Sequence, residues 1–252
     1  MKDVGILPRG TNGTSSRRVQ SVVVMGKGEL AIRAAEWFLQ SPSHELVAVV
    51  PVIPEPKWAP SLSSFAASRN VKVIESGHYK DLPGVREDGW KVDLVISIFY
   101  DRIIKDWFIS KCPRILNLHN GPLPKYRGVS PINWALKNGE QEHGVTIHEI
   151  TPGIDDGPIV GQSKYSIYPE VDEVIDVYRR AIEYGWVLFQ QTIPILHKLT
   201  PRTQDGSQAS YYSKREDCLL GERRNFTREQ SLLASGNSHS HSPSAVEIGD
   251  LK

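Results

Sequence analysis

Val22-Val23-Val24-Met25-Gly26-Lys27-Gly28-Glu29-Leu30-Ala31 opens the patterned part of the chain. Four consecutive apolar residues make a strand buried on both faces. Gly26 and Gly28 supply a tight turn, and Leu30, Ala31, Ala34, Ala35 and Phe38 then recur at helical spacing. A buried strand running through a glycine turn into an amphipathic helix is the first half of a β-α-β unit.

The same grammar recurs downstream. Residues 46–50 read as a second buried strand, stopped by Pro51, Pro54 and Pro56. A short helix over 62–67 leads to a third strand at 71–74. Residues 92–99 form a fourth, followed by a helix over 103–109. Residues 115–118 form a fifth, which runs directly into His119. Apolar strands alternating with helices predict an α/β fold around a mostly parallel sheet. Ligands of such sheets bind beyond the carboxyl ends of the strands, so 26–28, 99–102 and 117–121 should gather along one rim. Beyond the fifth strand the pattern changes. Ser130 and Pro131 start a short helix, 144–150 and 159–167 read as two more strands, and a long amphipathic helix spans 170–197 with Pro194 framing its end.

The flanks differ in composition. Residues 1–19 are rich in glycine, serine and arginine and read as a flexible arm. Residues 20–200 form the main folded domain, and 201–230, with Tyr211-Tyr212, a short C-terminal extension for a dimer or substrate contact. Residues 231–252 are serine-rich and read as a disordered tail. Thirty Lys and Arg against 29 Asp and Glu give a formal charge of +1, which leaves no electrostatic footprint for a nucleic-acid partner. No apolar run approaches the length of a membrane span or a secretory core. Two cysteines build no disulfide framework. A soluble cytoplasmic protein is expected.

Three stretches carry chemistry. Gly26-Lys27-Gly28 is a glycine turn at a helix start, a place where anions bind. It has only two of the glycines of a dinucleotide loop, and Glu29 would compete with an anion for the helix dipole. Asn117 and His119, two apart, share one side of a strand end and lead into the rigid loop 120–128. An amide donor beside an imidazole suits an oxyanion and a proton transfer, although a lone histidine there is more often structural. His148-Glu149-Ile150-Thr151-Pro152-Gly153-Ile154-Asp155-Asp156-Gly157 offers a carboxylate to pair with His119, and spacing alone does not choose between Asp155 and Asp156. Histidines and cysteines lack ligand spacing, so no metal is expected.

Asn-x-His, then Leu-Pro-x-Tyr-Arg-Gly (123–128), then His-x6-Asp-x-Gly (148–157) resembles the folate-dependent formyltransferase family over about residues 22–199. The family implies a Rossmann-like core and 10-formyltetrahydrofolate as co-substrate. The resemblance implies that Asn117 binds the formyl oxygen as it becomes an oxyanion, that His119 manages the amine proton, and that Asp155 holds and polarises His119. His148 would support them. Ser97 to Ile104 is similar to the loop lining the family's pterin pocket, which places Phe99, Tyr100, Arg102 and Ile103 at the co-substrate, with Gly153 and Ile154 opposite. The His119-Asn120 start of the loop and Trp134 to Gly139 resemble the sugar N-formyltransferase branch. Its partner is a nucleotide-linked amino sugar, without nucleic acid or membrane, and its members commonly form homodimers. Met25 to Gly28 and Glu75 to Asp81 most resemble the members acting on GDP-perosamine for O-antigen synthesis. Lys27, Lys125 and Arg127 are candidate phosphate cations, Asn120 and Gly121 candidate substrate contacts, and Tyr126 and Trp134 candidate aromatic walls. Tyr126, Arg127 and Trp134 would equally serve as braces or core.

Overall fold

The computed structural model describes residues 18–220, 246–248, 250 and 251. Its strands are β1 (Gln20–Gly26), β2 (His44–Pro51), β3 (Leu94–Ile98), β4 (Ile115–His119), β5 (Arg127–Gly128), β6 (Glu142–Glu149), β7 (Ile159–Ser166), β8 (Leu199–Thr200), β9 (Tyr211–Tyr212), β10 (Val246–Ile248) and β11 (Asp250–Leu251). Its α-helices are α1 (Gly28–Gln40), α2 (Leu62–Ser68), α3 (Asp106–Ile109), α4 (Pro131–Lys137) and α5 (Val174–Thr192). Seven strands form one sheet in the order β10-β7-β6-β4-β3-β1-β2. β2, β1, β3 and β4 are parallel, while β6, β7 and β10 extend the sheet with antiparallel neighbours.

Alternation along β1 divides the core. Val22 and Val24 face a layer of α1 and α5 built on Leu30, Ala34, Phe38, Leu188 and Phe189. Val23 and Met25 face a smaller layer with Val50, Tyr79, Ile104 and Phe108. That second face is covered by turns more than by helices. The helix expected over 103–109 shrinks to the single turn α3 because the backbone before it is committed elsewhere. Buried Tyr79 donates its hydroxyl to the Ile103 carbonyl at 3.2 Å and accepts from the Lys105 N–H at 3.0 Å.

Three other expectations are corrected. Residues 71–74 make one bridge, Val49 to Val73, and no strand. Val49 N–H donates to Lys72 O and Ile74 N–H to Val49 O, but the next donor along β2 would be Pro51, which has no N–H. The long helix starts at Val174, not at 170, because Glu173 and Asp176 close a reciprocal capping box there. It gives way at Ile193 to a 3-10 segment carrying Pro194. The tail expected to be disordered over 231–252 contains β10, antiparallel to β7, and β11, antiparallel to β8. The alternation Val246-Glu247-Ile248 is a strand pattern hidden behind the serine-rich stretch. The rest of that tail, 221–230 and nearly all of the N-terminal arm lie outside the described residues.

Candidate active site

The carboxyl end of β4 sits at the middle of the sheet. Leu116 and Leu118 point into the α1–α5 layer, so Asn117 and His119 point to the other side. Across the ladder Asn117 lies opposite Ser97 of β3 and His148 of β6. The loop between β6 and β7 returns Asp155 to this point.

Asn117 Nδ2 stands 3.2 Å from His148 Nε2 and 3.4 Å from Asp155 Oδ1. His119 Nδ1 is 3.5 Å from Asp155 Oδ2, and His148 Nε2 is 3.4 Å from Asp155 Oδ1. Gly128 N–H donates to Asp155 Oδ2 at 2.9 Å. The tautomers follow from the remaining partners. A carbonyl only accepts, so His119 Nε2–H donates to Tyr126 O at 2.7 Å and leaves the lone pair on Nδ1 beside Asp155. His148 Nδ1–H donates to Glu149 O at 2.9 Å, which leaves its Nε2 to accept from Asn117.

Burial pushes the His119 imidazole down, and neighbouring Asp155 only partly counters it, so the ring is neutral at pH 7. Burial alone would raise the Asp155 carboxyl. The adjoining His119 and His148 rings and the Gly128 N–H outweigh that and hold it well below the usual carboxylate range. The site therefore presents an anionic carboxylate beside an imidazole whose lone pair faces it. Asp156 is a different group: its Oδ1 accepts from Thr151 Oγ1 and closes the turn. The structure thus makes the choice that spacing left open.

A cleft of about 410 Å³ opens beside these groups. Asn117, His148 and Asp155 line it, together with the expected Tyr100, Arg102, Ile103, Gly153 and Ile154. Tyr100 is held by a 2.8 Å bond from its hydroxyl to Gly77 O, and burial raises its phenol to about 12, so it acts as a neutral wall. Two expectations shift. His119 does not line the cleft; it is 6 % exposed, behind Asp155. Phe99 does not line it either, since its backbone (φ +54°) turns the ring to Tyr178, 5.8 Å away, in the other layer. Tyr211 and Lys214, from the C-terminal extension, do line the cleft. Sequence reasoning left 201–230, with Tyr211-Tyr212, open to a dimer or substrate contact and did not single out Lys214, for want of a local motif.

Most of the expected substrate contacts are committed inside the protein. Tyr126 is 3 % exposed, donates to Glu140 Oε1 at 2.6 Å and stacks on Tyr212 at 5.6 Å. Arg127 donates Nε–H and Nη2–H to Gln204 Oε1 at 3.1 and 2.7 Å. Trp134 is core, stacked on Tyr212 at 4.4 Å. A Cβ on Gly121 would stand 2.9 Å from His119 Nε2, so this residue backs the imidazole. Asn120 accepts from His143 Nε2–H through its carbonyl at 3.1 Å. Lys125 is exposed and does not line the cleft. Lys27 N–H donates to Ile98 O at 3.2 Å, at the start of α1 and also off the cleft. Its glycine neighbour has a packing reason: a Cβ on Gly26 (φ +144°) would lie 1.9 Å from Ile98 O.

Among the described residues, no group of three His, Cys, Asp or Glu side chains is arranged to hold a metal ion, and no helix is long and apolar enough to cross a membrane.

A parallel-centred sheet with an Asn–His–Asp cluster at the end of its middle strand, beside a partly apolar cleft, presents the kinds of group that acyl transfer uses: an amide donor, an imidazole and a carboxylate. Residues 21–193 match the profile of the family described as formyl transferase, and the chain belongs to that family. Its activity class is N-formyl transfer. The chain is 28 % identical to the N-formyltransferase of Helicobacter canadensis solved with folinic acid and dTDP-3-aminofucose (TM-score 0.67, covering 79 % of this chain and 72 % of that one). It is 26 % identical to WlaRD, a sugar 3N-formyltransferase solved with dTDP and 5-N-formyl-THF (TM-score 0.67, 79 % and 70 %). The fold extends to glycinamide ribonucleotide transformylase 1 of Symbiobacterium toebii at 21 % identity (TM-score 0.61, 79 % and 100 %).

Proposed function

We propose that this chain transfers the formyl group of 10-formyltetrahydrofolate to the primary amine of a nucleotide-linked amino sugar. One observation carries the reading: Asn117, His148 and Asp155 line a single cleft whose other walls include Ile103, Ile104 and Ile154, a lining that suits a flat heterocycle held beside polar groups. The likeness to two sugar N-formyltransferases supports the acceptor class.

Within this reading the neutral amine attacks the formyl carbon and the carbonyl oxygen becomes an oxyanion. Asn117 Nδ2–H exchanges its longer contact, 3.4 Å to Asp155, for that oxygen. Asp155 faces the cleft and takes the amine proton, and His119 Nδ1 behind it shares that proton. Cleavage of the bond from the formyl carbon to N10, with return of the proton to N10, gives the formamido sugar and tetrahydrofolate. Anionic Asp155 and neutral His119 are the states this sequence needs.

The acceptor we favour is GDP-perosamine, formylated at its 4-amino group for O-antigen synthesis. The sequence blocks around Gly26 and His78 support it. A dTDP-linked 3-amino sugar is the second reading, favoured by the ligands of the two relatives. Lys27 and Lys125 remain the candidate diphosphate cations, whereas Tyr126 and Arg127 are withdrawn because the Tyr126 hydroxyl and the Arg127 Nε–H and Nη2–H are engaged internally. Two free cysteines, Cys112 and Cys218, suit a cytoplasmic setting, and a homodimer is proposed on the family resemblance. The deciding experiment is turnover with 10-formyltetrahydrofolate against GDP-perosamine, dTDP-linked 4-amino and 3-amino sugars and glycinamide ribonucleotide, with His119→Ala as the blank. Turnover confined to GDP-perosamine is expected. Turnover confined to a dTDP sugar overturns the nucleotide assignment, and formylation of glycinamide ribonucleotide alone overturns the sugar reading.

A further inference from the structure

The family match ends at residue 193, yet the catalytic groups are held by chain that lies beyond it. Arg202 and Ile159 exchange two backbone hydrogen bonds of 2.7 Å, which lays the following residues across the start of β7. Gln204 then falls between the two loops that build the site. Its Nε2 donates to Asp155 O at 2.8 Å and to Gly157 O at 2.7 Å. Its Oε1 accepts both Arg127 hydrogens. All four positions of the amide are filled. Asp155 itself has a left-handed backbone (φ +50°), an unfavourable conformation for a residue with a side chain, and its carbonyl is one of the groups Gln204 holds.

The loops joined by this amide each fix one member of the catalytic pair. On the Arg127 side, Tyr126 O accepts from His119 and Gly128 N–H donates to Asp155. On the other side is the backbone of Asp155 itself. Changing Gln204 therefore changes the separation of the imidazole and the carboxylate without removing any group from the cleft, which Gln204 does not line.

We propose that Gln204 is a positioning residue of the transfer: it fixes the distance between His119 and Asp155 by tying residues 155–157 to Arg127. The proposal rests on the reading of Asp155 as the proton acceptor. Gln204→Glu tests it, because glutamate keeps the size of the side chain and an acceptor for Arg127 but loses both donations and sets an oxygen against two carbonyls. The expected result is a kcat lower by about 10- to 100-fold with both KM values within about threefold, since misplacement near 1 Å costs about that much in rate. The acid limb of the kcat profile should also move up toward the ordinary carboxylate range. The groups facing Asp155 (His119, His148 and the Gly128 N–H, with Lys214 lining the same cleft and Asp156 next in sequence) are unchanged, but the new carboxylate itself bears on Asp155, so the profile is also read in Gln204→Met, which is neutral, keeps the length and loses both donations.

A second measurement needs no turnover: the ¹³C titration of the Asp155 carboxyl in the resting protein, which should move up by about one pH unit in neutral Gln204→Met, where no charge has been added. It separates failure of this proposal from failure of the acceptor assignment, because it is read without any acceptor. If Gln204→Glu does not fold, Gln204→Asn, too short to span both loops, takes its place. A wild-type carboxyl titration in a folded variant overturns the proposal. So does a loss of folate affinity that matches the loss of rate.

Discussion

Asp155 is the one charged member of the cluster that faces the cleft and also touches both histidines, so its removal should be felt in rate far more than in binding. Asp155→Asn keeps the shape and the Gly128 N–H contact but abolishes the proton acceptor. We expect kcat to fall about 10³-fold with the folate KM nearly unchanged, checked by steady-state kinetics at pH 7.5. At this scale much was legible in the sequence. Asn117 and His119 share a face because a strand has a period of two, and the Asp-containing turn was visible as a motif. What could not be read was the depth of each group. His119 lies behind Asp155 because Gly121 and the Tyr126 carbonyl close over its Nε2, and those contacts join residues whose side chains give no local signal. Tyr126 and Arg127 looked equally suited to ligand and to brace. The partners that decide the matter, Glu140, Gln204 and Tyr212, stand 14 to 86 residues away in sequence.

At the level of elements, the two-residue pair β5–β9 has a consequence out of proportion to its length. Arg127 and Gly128 lie parallel to Tyr211 and Tyr212, and Val129 N–H donates to Tyr212 O at 3.0 Å. The Tyr212 ring is sandwiched between Tyr126 and Trp134. The sequence suggested a dimer or substrate contact for the segment holding Tyr211-Tyr212. It became a parallel strap because the apolar side chains flanking the loop offered a stacking site that no local pattern announces. Gly128→Ala tests the strap. A Cβ there would lie 2.1 Å from Tyr212 O, at a φ of +92°. Loss of about 2 kcal/mol of stability is expected by urea denaturation, with activity lost before global unfolding because Gly128 N–H also holds Asp155. The shortened α3 teaches the same lesson: helical spacing was present, but the Tyr79 hydroxyl took the backbone groups at its start.

For the molecule as a whole, neutral histidines shape the response to acid. Burial pushes His44, His78 and His119 down, and carries His143 down to about 3. The unfolded chain binds these protons first, near pH 6.5, so each site's stabilisation is complete above that pH and is lost as the pH falls toward the folded value. Where a wholly buried histidine such as His143 governs, the slope approaches about 1.4 kcal/mol per pH unit. Denaturation in urea at pH 7 and pH 5 should therefore show a loss of a few kcal/mol. His143→Gln, which keeps a donor for Asn120 O, should flatten that dependence, and an unchanged slope would remove His143 from the account. None of this was visible beforehand: the eight histidines are scattered in sequence, and only the fold shows which ones lose contact with water.

The position of Gln204 and Tyr212 after the domain matched to the family bears on how the protein comes to life during synthesis. Chains fold from the N-terminus as they leave the ribosome. The sheet from β1 to β7 and the covering α5 emerge first, with the histidine, the amide and the carboxylate already translated. The strap arrives afterwards. If Gln204 positions the reacting groups as proposed above, a nascent chain of this protein is born with those groups in hand but unaligned, and it becomes a catalyst only when residues 202–214 have cleared the exit tunnel.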